Sequence, residues 1–324
     1  MLRQKIPSFS SIDSRTDSHR LFVGHVLDSS IVLIVRCILV ANRDAEPVGV
    51  ASLVEAFHRR DIHLQVVSPS GVEVHLEPSK GATVVPRLSP GTVVIHRNVM
   101  QSIPLLTLAF DCWSDCGVDI LNDFRRSTLS RNKFEAAVAL DRAGIPVVDA
   151  VAFTPPHFGP MPKSDRLVVK PACGARGIGV ERVQSLEDWL EPVDLMPQSY
   201  RPFWIAQPEV LNADQDWRAF VIDGKCVAIM RRRAVRGEWR ANAFLGAECT
   251  PDDPKNKFGL AAEKAVLSLG LDYASVDIFN TDSGPVINEV DPWGGFAAIS
   301  RTTGIDVADR IADLVALRAV GSGL

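Results

Sequence analysis

Val276-Asp277-Ile278-Phe279, a turn at Thr281-Asp282-Ser283-Gly284, and then Pro285-Val286-Ile287-Asn288-Glu289-Val290-Asp291 decide how this chain reads. Apolar residues alternate with acids on both sides of the turn, the pattern of two strands joined in a hairpin. Asp277 lies on the first strand. Glu289 and Asp291 stand two apart on the second and so share a face. Three carboxylates on one sheet face repel one another and lose hydration, so they need compensation. A hard divalent cation supplies it, and Mg²⁺ typically binds a few carboxylates together with phosphates. The solvated face of an exposed hairpin accounts for the same pattern, and the hairpin alone does not decide between the two.

Working outward, 324 residues suffice for two or three domains. The formal net charge of −4 gives no electrostatic reason to expect a nucleic-acid partner. Six cysteines are scattered, and Cys112 and Cys116 lack the second pair or histidine cluster of a zinc site. Idle thiols in a reducing cytoplasm are the expectation. The longest apolar run, 31–40, contains Arg36 and is too short to cross a bilayer, so no membrane partner is expected.

Residues 1–34 are rich in Ser, Asp, Arg and His and read as a loosely ordered extension. From residue 35 the pattern is α/β. Strands are expected at 37–41, 64–67 and 93–96, and helices at 48–60 and 103–116, which predicts a small open parallel sheet. No G-x-G-x-x-G follows the first strand, so a dinucleotide fold is unsupported. His96-Arg97-Asn98, at a strand end, reads as a solvated loop, with contact to a substrate carboxylate as the alternative.

Ser130-Arg131-Asn132-Lys133 opens a helix over 134–142 that stops at Gly144. Taken alone, Lys133 reads as a solvated first-turn lysine. Leu167–Pro171 is a strand carrying Lys170, and Gly174, Gly177 and Gly179 follow in a turn whose N–H groups can close over a phosphate. It is not a P-loop. A strand at 203–207 ends in a linker, Pro208-Glu209-Val210, because proline cannot donate into a central ladder. Strands at 216–222 and 226–233 flank a tight turn at Asp223-Gly224. Arg231 and Arg233 share a face there, as a charged edge or as an anion clamp. Helices are expected over 253–269 and 305–317.

The ordered set Asn132-Lys133, Lys170, the glycine turn, Gln207-Pro208-Glu209, Asp216-x-Arg218, Arg232-Arg233, Arg240-x-Asn242, Asp277, Glu289-Val290-Asp291 and Thr302-Thr303-Gly304-Ile305-Asp306 resembles the ATP-grasp superfamily, and within it the RimK-like α-L-glutamate ligases. The resemblance covers residue 118 to about residue 320. It implies an ATP-grasp fold, α/β and α+β, divided into an extension (1–34), a small parallel α/β domain (35–124), a central lid domain (125–208) and a C-terminal domain with the metal site (209–324).

By the same resemblance the activity is an ATP- and Mg²⁺-dependent carboxylate–amine ligase working through an acylphosphate. Lys133, Lys170, Gly174 and Gly177 would meet the phosphates of ATP. Gln207, Pro208, Glu209 and Val210 would hold adenine, and Asp216 the ribose. Arg240 and Asn242 would face the phosphates, with Arg233 and Arg240 as catalytic arginines. Asp277, Glu289 and Asp291 would hold two Mg²⁺ ions, with Mn²⁺ as a substitute. The partners implied are small carboxylate and amine substrates or a peptide; related ligases are often homo-oligomers, and the sequence leaves the assembly open. Three positions depart from the family pattern. Pro208 stands for a usual Glu, Asp291 for a usual Asn, and Pro292-Trp293 for small residues beside the acylphosphate. An indole there would reshape the acceptor pocket, an argument against glutamate as the added amine.

Overall fold

In the computed structural model, residues 36–42, 47–79, 81–155, 160, 164–174, 177–186, 189, 203–210 and 214–321 are described. The extension at 1–34 lies outside them. The first unit runs β1 (Arg36–Ala41), α1 (Pro47–His58), β2 (His63–Val67), β3 (Glu73–Glu77), β4 (Gly81–Val85), β5 (Val93–Arg97), α2 (Ile103–Asp115) and β6 (Asp119–Leu121). Four of the strands form a parallel sheet in the order β2-β1-β5-β6. Its central strands are continuous apolar runs because both faces are covered. Cys37, Leu39 and Ala41 pack towards α1, while Ile38 and Val40 pack towards α2. The antiparallel pair β3–β4 was not expected from the sequence.

Two helices follow, α3 (Phe124–Arg131) and α4 (Lys133–Arg142), where one was expected. Asn132 closes the first and caps the second, its side chain accepting from the N–H groups of Phe134 and Glu135. The polar sequence of α3 hides it from an apolar-periodicity reading.

The second sheet combines β7 (Val151–Phe153), β8 (Leu167–Pro171), β9 (Glu181–Val183) and β10 (Trp204–Pro208) in the antiparallel order β7-β10-β8-β9. Pro208 stays within β10, opposite Leu167 of β8, because β7 pairs only with Trp204 to Ala206 and asks no N–H of it.

The third sheet is built from β11 (Gln215–Ile222), β12 (Lys225–Arg233), β13 (Glu248–Pro251), β14 (Tyr273–Thr281) and β15 (Gly284–Asp291), in the antiparallel order β13-β12-β11-β14-β15. Helix α5 (Lys257–Ser268) covers one face, packing on Trp217, Ala219, Val221 and Val276. It starts four residues later than expected, where Asn256 caps it. Along the other face of β11, Asp216 and Arg218 are followed by Phe220 and Ile222. The apolar pair packs with α6 (Ala297–Thr303) and α7 (Val307–Gly321) into the core shared with β1 and α1. The charged pair is left at the opening between the sheets, and that alternation positions the site.

Candidate active site

A cavity of about 490 Å³ is lined by residues of the second and third sheets, with Asn98, just after β5, from the first unit. Its acids come from the β14–β15 hairpin and from β11. Asp277 pairs across with Glu289, and Ser275 with Asp291. A bulge beside Asp277 leaves Asn288 unopposed, so Asn288 and the adjacent Glu289 both line the cavity.

These carboxylates are not uncompensated, as the hairpin pattern had suggested. Asp291 accepts from Arg131 at 2.7 Å and from the Trp293 N–H at 2.9 Å. Glu289 meets Lys133 at 3.1 Å. Asp277 lies 3.0 Å from Arg218 and 3.1 Å from Arg232. Arg232 Nε also donates to Asp216 at 2.7 Å, and its NH2 takes the second oxygen. Burial disfavours ionised Asp277 and Asp291, yet the guanidinium groups around them hold both below the usual carboxylate range. Burial pushes Asp216 up, against the opposing pull of Arg232.

Among the described residues no three His, Cys, Asp or Glu side chains gather closely enough to form a metal cage. Arg131, Lys133, Arg218 and Arg232 balance the charge of these acids. The donor set is nonetheless all oxygen, which suits a hard divalent cation completed by phosphates. Glu289 keeps one oxygen outside the ion pairs seen among the described residues.

Lys133 is no surface lysine. Its side chain is only 10% exposed, and it donates to the Gly174 carbonyl at 3.0 Å besides pairing with Glu289. Lys170 is buried and donates to Asn288 Oδ1 at 3.0 Å. Burial, then the nearby Lys133 charge, lowers its pKa to about 8. Gly177 has φ +72°, and a Cβ there would stand 2.9 Å from Asn242 Nδ2. Arg240 donates to the Gly177 carbonyl at 2.9 Å and is steadied by Glu238. The loop after β12 thus closes on the glycine turn.

Gln207, Pro208 and Val210 line the cavity, as do Val148, Phe279 and Val168, the β8 partner of Gln207. The Glu209 side chain turns instead to Arg182 and Arg166. Arg233 is corrected by the strand's alternation. It is exposed and outside the cavity lining, and Arg232, buried between its two neighbours, is the β12 arginine that enters.

His96-Arg97-Asn98 is no solvated loop either. His96 and Arg97 are fully buried. His96 Nδ1 accepts from the Trp293 indole at 2.9 Å and Nε2 donates to the Asn122 carbonyl at 2.8 Å, which fixes the tautomer. Burial lowers its pKa to about 4, so the ring is neutral. Arg97 donates to the carbonyls of Trp293 and Gly294 at 3.0 and 3.1 Å. Asn98, at φ +51°, lines the cavity. Trp293 packs into the first-unit core and is 2% exposed. Its indole is anchored by His96 and also lines the cavity, beneath the Arg131 guanidinium. The sequence reading placed Arg218 and Arg232 in the family pattern without giving them a role, and missed Arg131, Asn288 and Arg301 as cavity residues. For Arg218 a signal existed, its two-residue spacing from Asp216. For His96 to Asn98 it was the carboxyl end of a parallel strand, where open α/β sheets collect ligands.

A family model described as the RimK-like ATP-grasp domain matches residues 131–315. A probable alpha-L-glutamate ligase 2 of Shewanella denitrificans is 30% identical over 267 residues, covering 78% of this chain and 82% of the relative. A probable alpha-L-glutamate ligase of Serratia proteamaculans is 26% identical over 298 residues, covering 87% and 96%. Among solved structures, the D-cycloserine synthetase DcsG aligns with TM-score 0.63 at 17% identity, over 88% of this chain and 99% of that one. The ATP-grasp ligase PsnB, complexed with precursor peptide PsnA2 and AMPPNP, aligns with TM-score 0.62 at 16% identity, over 90% and 100%. At such identities the structural likeness speaks for the fold.

Proposed function

The chain belongs to the RimK-like ATP-grasp family of ATP-dependent amide-forming ligases, and from that premise we propose that its cavity joins a carboxylate to an amine through an acylphosphate. Residues 35–124 form the substrate-side unit, 125–208 the lid unit and 209–324 the unit carrying the acids. The observation that supports this reading most is the convergence of Lys133 and Lys170, from α4 and β8, on the Asn288-Glu289 bulge beside the glycine turn.

In the proposed reaction a substrate carboxylate oxygen attacks the γ-phosphorus of ATP. The new P–O bond forms as the bond to the β-phosphate oxygen breaks and ADP leaves. An amine nitrogen then attacks the acyl carbon, phosphate departs, and the amine's surplus proton passes to solvent. Such chemistry asks for positioning and charge neutralisation more than for a protein nucleophile. Lys133 and Lys170 neutralise phosphate oxygens. Arg240 and Asn242 hold the glycine turn down over them, and Gln207, Pro208 and Val210 take the base. Asp277, Glu289 and Asp291 would hold Mg²⁺, which when bound supplies Lewis-acid polarisation of the phosphoryl oxygens. An inactive nucleotide sensor is disfavoured because the lysines, arginines and acids are all present. Unpaired cysteines at 37, 112, 116, 173, 226 and 249 support a cytoplasmic setting.

The test incubates the full chain with ATP, Mg²⁺ and pooled carboxylic acids and amines. ADP, phosphate and an amide mass are expected, all lost in Glu289→Ala. Turnover that survives in Glu289→Ala would sink the assignment of the acids.

A further inference from the structure

Among the described residues, seven lysines and arginines line the cavity against four aspartates and glutamates. The protein's own charges there attract an anion and repel a free cation. One of the seven reaches two of the acids assigned to Mg²⁺. Arg131, the last residue of α3, is buried, and its Nη1 lies 2.7 Å from Asp291 and 3.9 Å from Glu289. Its Nη2 donates to the Gly174 carbonyl at 3.3 Å. The guanidinium stands over the Trp293 ring, 5.8 Å from the centroid, where the ring face favours a cation. Its Nε has no hydrogen-bond partner among the described residues, so its buried charge is matched by the two acids. An arginine does not give up its proton in a protein, so that charge is permanent. Lys133 differs. In the ligase reading it neutralises a phosphate, which releases Glu289, whereas Arg131 is given no phosphate and stays beside the acids.

Asp291 uses one oxygen for Arg131 and the other for the Trp293 N–H. A carboxylate has about four lone-pair positions, so this pairing tempers Asp291 without closing it to a metal ion. We propose that Arg131 is the counter-charge that keeps a free divalent cation off Asp291 and Glu289 until nucleotide phosphates add their negative charge, so that metal and nucleotide load together. Arg131 is then a positioning residue that sets the metal affinity of the acids and touches no reacting atom. The inference rests on the ligase reading and deepens it by naming what regulates metal entry to that site.

The experiment measures Mn²⁺ binding to the full chain, with and without ADP, from the paramagnetic resonance signal of free Mn²⁺. The wild type is expected to bind Mn²⁺ alone roughly tenfold or more weakly than with ADP. Arg131→Gln and Arg131→Met should bind Mn²⁺ alone roughly tenfold or more tightly than the wild type. Glutamine still donates hydrogen bonds, so it stands beside methionine in case loss of a buried partner unfolds the chain. Arg131→Lys keeps the charge and should stay near the wild type. Adding Asp291→Asn to Arg131→Gln should return the affinity towards the wild type. A merely structural arginine predicts the opposite direction, because its loss would loosen the acids and weaken metal binding. Unchanged or weaker Mn²⁺ binding in the neutral variants would overturn the inference, as would wild-type binding that ADP does not tighten. Absent ADP binding in the wild type would instead sink the ligase reading, and the inference with it; normal ADP binding with unchanged Mn²⁺ affinity in the variants overturns the inference alone.

Discussion

Two clusters of arginine and aspartate link distant segments of this protein, and they differ in what surrounds them. On the outside, Arg59 and Arg60, in the turn just after α1, grip Asp306, Asp309 and Asp313 at and along α7, with contacts of 2.7 and 2.8 Å. In the cavity, Arg232 grips Asp216 and Asp277 with contacts of 2.5 and 3.1 Å. The bond lengths are similar. The exposures are not: Arg59 is 49% exposed and Arg232 3%. Outside, water screens the attraction and competes for the ions. Inside, each charge has given up its hydration, so each partner becomes indispensable to the other without the pair as a whole being strongly stabilising. Short ion pairs are therefore not a measure of stability. Burial decides what removing one partner costs.

The largest expected effect is Arg232→Met, which strands buried Asp216, leaves Asp277 to Arg218 alone, and should cost about 3–5 kcal/mol in urea denaturation. A loss below about 1 kcal/mol would place the inner cluster in the same class as the outer one. Next comes the pH response of Lys170. Its pKa in the folded chain, about 8, lies below its ordinary 10.5. Its charged form is thus penalised by folding, and stability rises as pH climbs from about 8 towards 10.5. Bound phosphate needs the charged form, so nucleotide affinity should fall about tenfold per pH unit above 8. Calorimetry between pH 7 and 9 checks this, and a flat profile would contradict the burial of that lysine. Gly177→Ala forces a side chain into a left-handed backbone against Asn242. The strain is about 1–2 kcal/mol, read as weaker nucleotide binding with little change in Tm. The smallest effect belongs to the outer cluster. Asp309→Asn should cost under about 1 kcal/mol, and the difference should vanish in high salt.

What could be read in the sequence was what has a local period. The 276–291 hairpin, the glycine turn after Lys170 and the alternation of β11 all show in short windows, and the structure has each of them. What escaped depends on distant partners. The Arg231-Arg232-Arg233 run shows charge but not which face is turned inward, because that is set by the pairing of β12 with β11 and β13. His96 and Arg97 look solvated until Trp293 and Gly294, nearly two hundred residues later, close over them. The bulge that turns Asn288 into the cavity is a register irregularity with no residue signature. The acids show in one short hairpin, whereas their pairing with Arg131, Arg218 and Arg232 is set by helices and strands elsewhere in the chain.

The central claim is that this cavity is a nucleotide site organised on Lys133 and Lys170. Titration of the wild type and Lys170→Met with Mg²⁺ and ATP at pH 7 tests it most directly. Saturable binding in the wild type, weakened roughly tenfold or more in Lys170→Met with no loss of Tm, is the predicted result. Equal binding by both proteins, or none by the wild type, would contradict it.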